Sequence, residues 1–125
     1  MPRVHTDLPE LLAFTRENLD TYWRGAIAEV EDEGVGVVGE DAAAVAWIAL
    51  GASRLHHLLN KGTLTSKSGA GRYVAEKLAP RWSKIGREAL RIRETPHTPS
   101  LYTELAERGH DVQQLLIWLV EDGTH

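Results

Sequence analysis

The sequence contains no cysteine, and it has only one phenylalanine and one methionine among its 125 residues. Without cysteine the chain forms no disulfide bond and no zinc or iron–sulfur site held by thiolates. Long apolar runs are also missing, since the longest apolar-rich stretch, residues 42–52, is far shorter than the roughly 18 to 20 residues of a membrane span. No apolar signal segment opens the chain. We therefore expect a cytoplasmic protein with no membrane partner.

Apolar residues recur at helical spacing almost everywhere in the chain. Residues 8–30 carry one amphipathic stripe, with Thr6 and Asp7 before it as candidate caps. Residues 42–60 are so apolar in their first half that we expect them to form the buried central helix. Gly62 then ends that helix, because glycine adopts the left-handed conformation common just after a helix.

The second half of the sequence predicts three further helices. One is capped by Thr65 or Ser66 and runs to Leu78, one runs from Pro80 to before Pro96, and one is capped by Ser100 and bent at Gly109. Only Val35, Val37 and Val38 resemble a strand, and three residues cannot build a sheet. We therefore predict an all-α bundle of about five helices, in a single domain spanning residues 1–125.

The glycine-rich segment 34–39 matches the letters of the G-x-G-x-x-G dinucleotide-binding motif. That chemistry needs a strand leading into the glycines, whereas a charged helical stretch, residues 29–33, precedes them here. We interpret the segment as a flexible connection between two helices.

Two histidine patterns suggest chemistry without completing it. His56 and His57 are adjacent, so a helix points them about 100° apart and they cannot both face one metal ion. We expect partly exposed structural histidines. Arg91 and His97 have the spacing of the ribonuclease motif of HEPN domains, but Pro96 makes a shared helix face improbable.

Charge is distributed very unevenly along the chain. Residues 54–93 hold ten basic residues against two acids, a balance of +8, while the rest holds four basic residues against sixteen acids, a balance of −12. The ten are Arg54, Lys61, Lys67, Arg72, Lys77, Arg81, Lys84, Arg87, Arg91 and Arg93. Aromatic residues for base stacking are few within this basic block, and the acidic flanks would repel a phosphate backbone, so we do not expect nucleic-acid binding.

The start of the third predicted helix is the best candidate for phosphate binding. A helix beginning at Ser66 offers unpaired backbone N–H groups, and Lys67 adds a positive charge at the same place. Arg54 lies thirteen residues upstream, on the helix expected to pack beside this turn. An arginine and a lysine that converge form a clamp suited to a polyphosphate. The alternative is that these basic residues form a solvated helix face.

The same region carries a resemblance to a known family. Residues 54–73, Arg-Leu-His-His-Leu-Leu-Asn-Lys-Gly-Thr-Leu-Thr-Ser-Lys-Ser-Gly-Ala-Gly-Arg-Tyr, are followed by a Leu-x-Pro-x-Trp turn and by Arg-Glu-Ala-Leu-Arg-Ile-Arg at residues 87–93. Together they resemble the C-terminal helical domain of the aminoglycoside adenylyltransferases, which confer streptomycin and spectinomycin resistance. The resemblance covers roughly residues 10 to 120 and includes the segment 18–23.

The resemblance implies roles for particular residues. Arg54 and Lys67 match positions that contact the phosphates of ATP, which the family uses with Mg²⁺ to transfer AMP to an aminoglycoside hydroxyl. The positions that face the cationic drug in relatives carry Ala44 and Trp47 here, and the nearest acids, Glu40 and Asp41, lie one turn earlier. We take Glu40, Asp41 and Trp47 as candidate acceptor contacts. Arg93 stands where the family has a tyrosine near the end of the fourth helix, and it is a candidate nucleotide contact.

The catalytic signature of that family does not occur in this sequence. Relatives carry a Gly-Ser turn followed by Asp-x-Asp, which holds magnesium, and neither pattern is present among the 125 residues. We therefore expect a substrate- and nucleotide-binding domain that is not catalytic alone, with no catalytic or metal-binding residues of its own. A non-catalytic module that pairs with a separate nucleotidyltransferase domain is the alternative, and a HEPN-like ribonuclease is a third.

Overall fold

The computed structural model describes residues 7–125, and these residues form helices and loops with no strand. The helices are α1 (Leu8–Asn18), α2 (Arg24–Glu33), α3 (Val35–Glu40), α4 (Ala42–Lys61), α5 (Lys67–Glu76), α6 (Ser83–Glu94) and α7 (Leu105–Thr124). A π-helical turn, Leu19–Trp23, makes α1 and α2 continuous, and a 3₁₀ turn, Pro80–Trp82, leads into α6. The all-α prediction is confirmed. Thr6, a predicted cap of the first helix, lies outside the described residues.

Six helical bodies result when α1 and α2 are counted together, one more than the predicted five. The additional helix is α3, so the prediction of a flexible connection at residues 34–39 was wrong. Gly39 lies against Gly109 of α7: a Cβ on Gly39 would approach the Gly109 nitrogen to 2.7 Å and would overlap the Leu105 carbonyl oxygen. The glycines therefore serve close helix packing rather than flexibility, because only glycine lets the two backbones approach so far.

The helix α4 is the central element of the core, as its apolar sequence predicts. It packs against α5, α6 and α7. Its buried residues are Val45, Ile48, Ala49, Leu50, Ala52, Ser53, His56 and Leu58. Asp41 caps the start by accepting the Ala44 N–H at 3.1 Å. Gly62 ends the helix with φ 75°, and its N–H donates to the Leu58 carbonyl at 2.8 Å.

By length and composition, α4 is also a candidate membrane span, with a mean hydropathy of 1.2 over its most apolar window. The prediction from short apolar runs did not anticipate this. Packed core helices reach the same values, and the contacts of α4 with its neighbours account for its apolar side chains.

The last helix begins later than the sequence predicts. Ser100 does not cap α7, which starts at Leu105 and continues without interruption through Gly109. The Ser100 hydroxyl instead donates to the Glu88 carboxylate at 2.6 Å and accepts the Tyr102 N–H at 3.0 Å. Leu101, in the loop before α7, is 43% exposed. The starts of the two preceding helices agree better with their predicted positions. The helix α5 begins directly after Ser66, and α6 begins directly after the turn at Pro80.

Candidate functional site

Ser66 caps the start of α5, as predicted. Ser66 is the N-cap residue, and its hydroxyl oxygen accepts the N–H of Gly69 at 2.9 Å. The cap fixes the first turn of α5 but engages the Ser66 hydroxyl oxygen. The remaining N–H groups of this first turn have no intrahelical carbonyl to donate to, so they give the helix end its positive character.

Arg54 lies beside this helix start. Its Nε donates to the carbonyl oxygen of Thr65 at 3.2 Å, which ties the guanidinium to the residue immediately before the Ser66 cap. The same side chain lines a small cleft of about 210 Å³ together with Leu55, Leu58 and Leu64. Since only Nε is engaged, the two terminal nitrogens of Arg54 make no hydrogen bond to residues 7–125 and can donate to a ligand.

Lys67 is the first residue of α5 and is exposed. Within residues 7–125 its ammonium forms neither an ion pair nor a hydrogen bond. Arg54 and Lys67 therefore flank the Ser66 cap from two elements, one held by the Thr65 carbonyl and one extending from the helix end. Arg93 is exposed in the last turn of α6 and likewise has no partner in the described part of the chain.

Most other residues of the basic block have partners. Arg72 pairs with Glu94 at 3.1 Å, Arg81 and Lys84 lie over the rings of Trp82 and Tyr102, and Arg87 donates to Ser83. These contacts are on the surface, where a single pair contributes at most about 1 kcal/mol. In the described structure, Lys61, Lys67, Lys77 and Arg93 remain without an ion pair, a hydrogen bond or an aromatic partner.

The candidate acceptor residues Glu40, Asp41 and Trp47 do not line one common cleft. Asp41 is the cap of α4, so one of its carboxylate oxygens is engaged by the Ala44 N–H. Glu40 is the exposed last residue of α3. Trp47 is 47% exposed and packs on the buried Trp23 with ring centroids 4.8 Å apart.

Trp47 instead faces a cleft of about 420 Å³ between α2, α3 and α4. Three acids on α2 line this cleft with it, Glu29, Asp32 and Glu33. The remaining lining residues are small or aliphatic: Ala26, Val30, Val38, Ala44 and Ile48. An aromatic face beside several carboxylates is suited to a cationic ligand, because both attract positive charge. These three acids were not predicted as a site, although their i, i+3, i+4 spacing is the signature of one helix face.

No family model, curated protein or solved structure matches this chain. The relation to the aminoglycoside adenylyltransferases therefore stays a resemblance carried by the residues named above.

A second set of charged residues, around Glu88, was not predicted from the sequence. Glu88 is fully buried, and its two carboxylate oxygens accept five hydrogen bonds. The donors are Arg91 with two nitrogens at 3.0 and 3.1 Å, Ser100 at 2.6 Å, the Leu101 N–H at 3.0 Å and Arg108 at 3.0 Å. Arg108 is itself buried and also donates to the Gly39 carbonyl at 2.8 Å.

These donors determine the charge state of Glu88. Burial alone would raise the pKa of this carboxyl, but the hydrogen bonds from Arg91, Ser100, Leu101 and Arg108 outweigh it and lower the pKa to about 2. Glu88 is therefore ionised at neutral pH and joins α6, α7 and the loop between them. All its lone pairs are engaged, so its role is structural rather than catalytic.

The same network bears on the HEPN hypothesis. Besides binding Glu88, the Arg91 guanidinium donates to the Thr98 carbonyl at 2.6 Å, so all three of its nitrogens are engaged. His97 is exposed in the loop after α6 has ended at Glu94. Arg91 and His97 therefore lie on different elements and share no helix face. This agrees with the expectation based on Pro96.

His56 is buried rather than partly exposed, contrary to the prediction. One ring nitrogen lies 2.8 Å from the Tyr73 hydroxyl and the other 2.7 Å from the Asp122 carboxylate, while Asn60 donates to the same hydroxyl at 3.0 Å. Because the carboxylate can only accept, His56 donates through Nε2 and accepts the Tyr73 O–H at Nδ1. Burial raises the pKa of Tyr73, so this hydroxyl keeps its proton. Among residues 7–125, no three potential metal ligands converge.

Proposed function

We propose that this chain is the substrate- and nucleotide-binding helical domain of an aminoglycoside adenylyltransferase-like protein. In the complete enzyme, AMP would pass from ATP to an aminoglycoside hydroxyl, and this domain would bind both reactants without catalysing the transfer alone. The observation that carries the proposal is the hydrogen bond from Arg54 to the Thr65 carbonyl beside the start of α5. The proposal includes the cytoplasm as the location.

The nucleotide side of the proposal rests on Arg54, Lys67 and the capped start of α5. The terminal nitrogens of Arg54 can bind phosphate oxygens in pairs, while Lys67 contributes a mobile positive charge. The N–H groups of the first helical turn add donors at the same place. Mg²⁺ would arrive with ATP and be held by the catalytic domain, and Arg93 stays a candidate contact to the nucleotide.

The acceptor side rests on the acidic cleft beside Trp47. A polyamine ring system is several times positively charged at neutral pH, and the cleft offers three carboxylates, those of Glu29, Asp32 and Glu33. The indole of Trp47 can stack on the sugar rings or on a cationic group. We therefore assign the first contacts to these acids and keep Glu40 and Asp41 as outer contacts at the start of α4.

Calorimetric titration of ATP, with and without Mg²⁺, tests the nucleotide side. We expect Lys67→Ala and Arg54→Ala each to weaken ATP binding about tenfold, as is typical when one charge-assisted contact is lost. Arg87→Ala removes a charge from the same basic block and should leave the affinity unchanged. Absence of binding at millimolar ATP, or an equal loss in all three variants, would contradict the proposal.

Tryptophan fluorescence with streptomycin as the probe tests the acceptor side. Saturable quenching is expected, and it should weaken in Asp32→Asn and Glu33→Gln and with rising salt, because the attraction is electrostatic. Trp47→Phe separates the signal of this ring from those of the other tryptophans. Glu10→Gln, an exposed acid on α1, is the matched control. If it weakened quenching as much as Glu33→Gln, the acidic cleft would not be the site.

A non-catalytic module that pairs with a separate nucleotidyltransferase domain is the second candidate. Exposed apolar side chains favour it, in particular Phe14, which is 67% exposed, and Tyr22, which is 55% exposed. Size-exclusion chromatography of this chain mixed with a nucleotidyltransferase domain encoded by a neighbouring gene tests the pairing. A complex that Phe14→Ser disrupts would support it, and separate elution would count against it.

A further inference from the structure

A second basic cleft lies between the end of α4 and α5. It has a volume of about 420 Å³, and its charged lining residues are Lys61, Arg72, Lys77 and a single acid, Glu76. Neither Arg54 nor Lys67 lines it. Three positive charges against one negative charge leave the cleft with a balance of +2, without counting the half-buried His57.

The cations of this cleft are free to bind a ligand. Among residues 7–125, Lys61 and Lys77 form no ion pair. Arg72 uses one terminal nitrogen for Glu94 at 3.1 Å, and its other nitrogens make no hydrogen bond within that range. Both members of this pair are exposed, so the contact is weak and Arg72 can donate to a second acceptor.

The floor of the cleft is rigid, which lowers the entropic cost of binding. Tyr73 lines it and is almost fully buried, with its hydroxyl held between His56 and Asn60. On one side, the ring of His57 is fixed by a 3.0 Å hydrogen bond between Nδ1 and the Thr63 carbonyl. Because a carbonyl only accepts, Nδ1 carries the hydrogen.

We propose that this cleft binds a phosphate dianion, free or carried by a small ester, separately from Arg54 and Lys67. A phosphate group carries close to two negative charges at neutral pH, which match the balance of the cleft. Lys61, Arg72 and Lys77 donate to its oxygens from both helices. The Glu76 carboxylate accepts a hydrogen bond from a hydroxyl of the ester. This contact accounts for the one acid in an otherwise basic cleft.

Amide NMR of the full chain, titrated with inorganic phosphate at constant ionic strength, tests the proposal. We expect saturable shifts at Thr63, Gly69, Arg72 and Lys77. Lys61→Gln and Lys77→Gln should each weaken binding about three- to tenfold, because one charge is lost at an open site. Glu76→Gln should strengthen it, since the balance rises to +3. Thermal unfolding followed by circular dichroism verifies that each variant is folded.

The matched control is Lys67→Gln, which removes the same charge from the start of α5. Phosphate binding that survives Lys67→Gln and weakens in Lys61→Gln supports the second cleft, whatever the outcome for ATP at Arg54 and Lys67. The reverse pattern, or shifts that spread over the basic block without saturating, overturns the proposal. Ribose 5-phosphate is the second probe: tighter binding than inorganic phosphate identifies an ester as the ligand, and equal binding identifies the free ion.

Discussion

Glu88 with its two arginines, and Arg54 with Lys67, use similar residues in opposite ways. Around Glu88 the carboxylate and Arg108 are buried, the Arg91 side chain is only 12% exposed, and both arginines donate to the one carboxylate. At the start of α5 both cations are exposed, and together they have one hydrogen bond, from Arg54 to Thr65. The Glu88 carboxylate has no oxygen left for a ligand, whereas the terminal nitrogens of Arg54 and the ammonium of Lys67 are open to one.

The two sets of charges therefore differ in role: those around Glu88 stabilise the fold, and those at the start of α5 are open to a ligand. A buried charge that loses its partner is destabilising, because the remaining charge stays out of water. An exposed cation loses little when it is removed, since water already solvates it. Substitutions at the two places should therefore affect different measurements, unfolding at Glu88 and ligand affinity at Arg54 and Lys67.

The largest effect is expected for Glu88→Ala. It leaves Arg108 buried without its carboxylate and should lower the free energy of unfolding by about 3–5 kcal/mol. Urea unfolding measures this change. Glu94→Ala removes the exposed partner of Arg72 and should cost less than about 1 kcal/mol. Similar losses for the two variants would remove the distinction between buried and exposed charge.

Acid should reveal the same contrast in the unaltered protein. The pKa of Glu88 is about 2 in the folded chain against an ordinary value of 4.5, so its ionisation stabilises the fold fully above pH 4.5. That contribution, about 3 kcal/mol for a shift of this size, is lost as the pH falls toward 2. Urea unfolding from pH 6 to pH 2.5 measures it. The slope should be shallower in Glu88→Gln, and an unchanged slope would exclude Glu88 as its cause.

A smaller loss is expected where α3 crosses α7. Gly109→Ala puts a Cβ against the Val35 carbonyl and within 2.8 Å of the Gly39 nitrogen, which should cost about 1–3 kcal/mol or more. The hydrogen bond from Arg108 to the Gly39 carbonyl lies at this crossing. Gly36→Ala is the control, because its Cβ meets nothing within 4 Å and alanine favours the helix. Equal destabilisation by both would mean that the crossing is looser than the structure indicates.

The smallest stability effect is expected at the proposed nucleotide contacts. Lys67→Ala should change the free energy of unfolding by less than about 0.5 kcal/mol, and Arg54→Ala by about 1 kcal/mol at most, since it loses one exposed hydrogen bond. The same variants should show the loss of ATP affinity proposed above. A clear loss of stability in Lys67→Ala would assign this residue to the structural group with Glu88.

The helical class, the central helix and most helix ends could be predicted from local signals. Asp41, Gly62 and Ser66 act within one turn of themselves, so their capping roles are readable from sequence spacing alone. The proposed phosphate contact could be predicted from sequence for the same reason, because Ser66 defines a helix start and Lys67 follows it directly.

Contacts between distant residues could not be predicted in this way. Glu88 meets Arg108 across twenty residues, and Gly39 meets Gly109 across seventy, so no local pattern pairs them. The start of α7 was misplaced for a related reason, since Ser100 has the residue type of a cap but its hydroxyl binds Glu88. A buried partner elsewhere in the fold outweighed a local preference.

The π-helical turn Leu19–Trp23 determines which side of α2 faces Trp47. Such a turn holds one more residue than an α-helical turn, so every residue after it is offset by one position along the helix. Deleting one residue there would restore regular spacing and turn α2 by about 100° about its axis. Glu29, Asp32 and Glu33 would then leave the cleft without any change to the acids themselves. The orientation of these three acids toward the cleft therefore depends on the extra residue of the π-helical turn, which lies upstream of them in the chain.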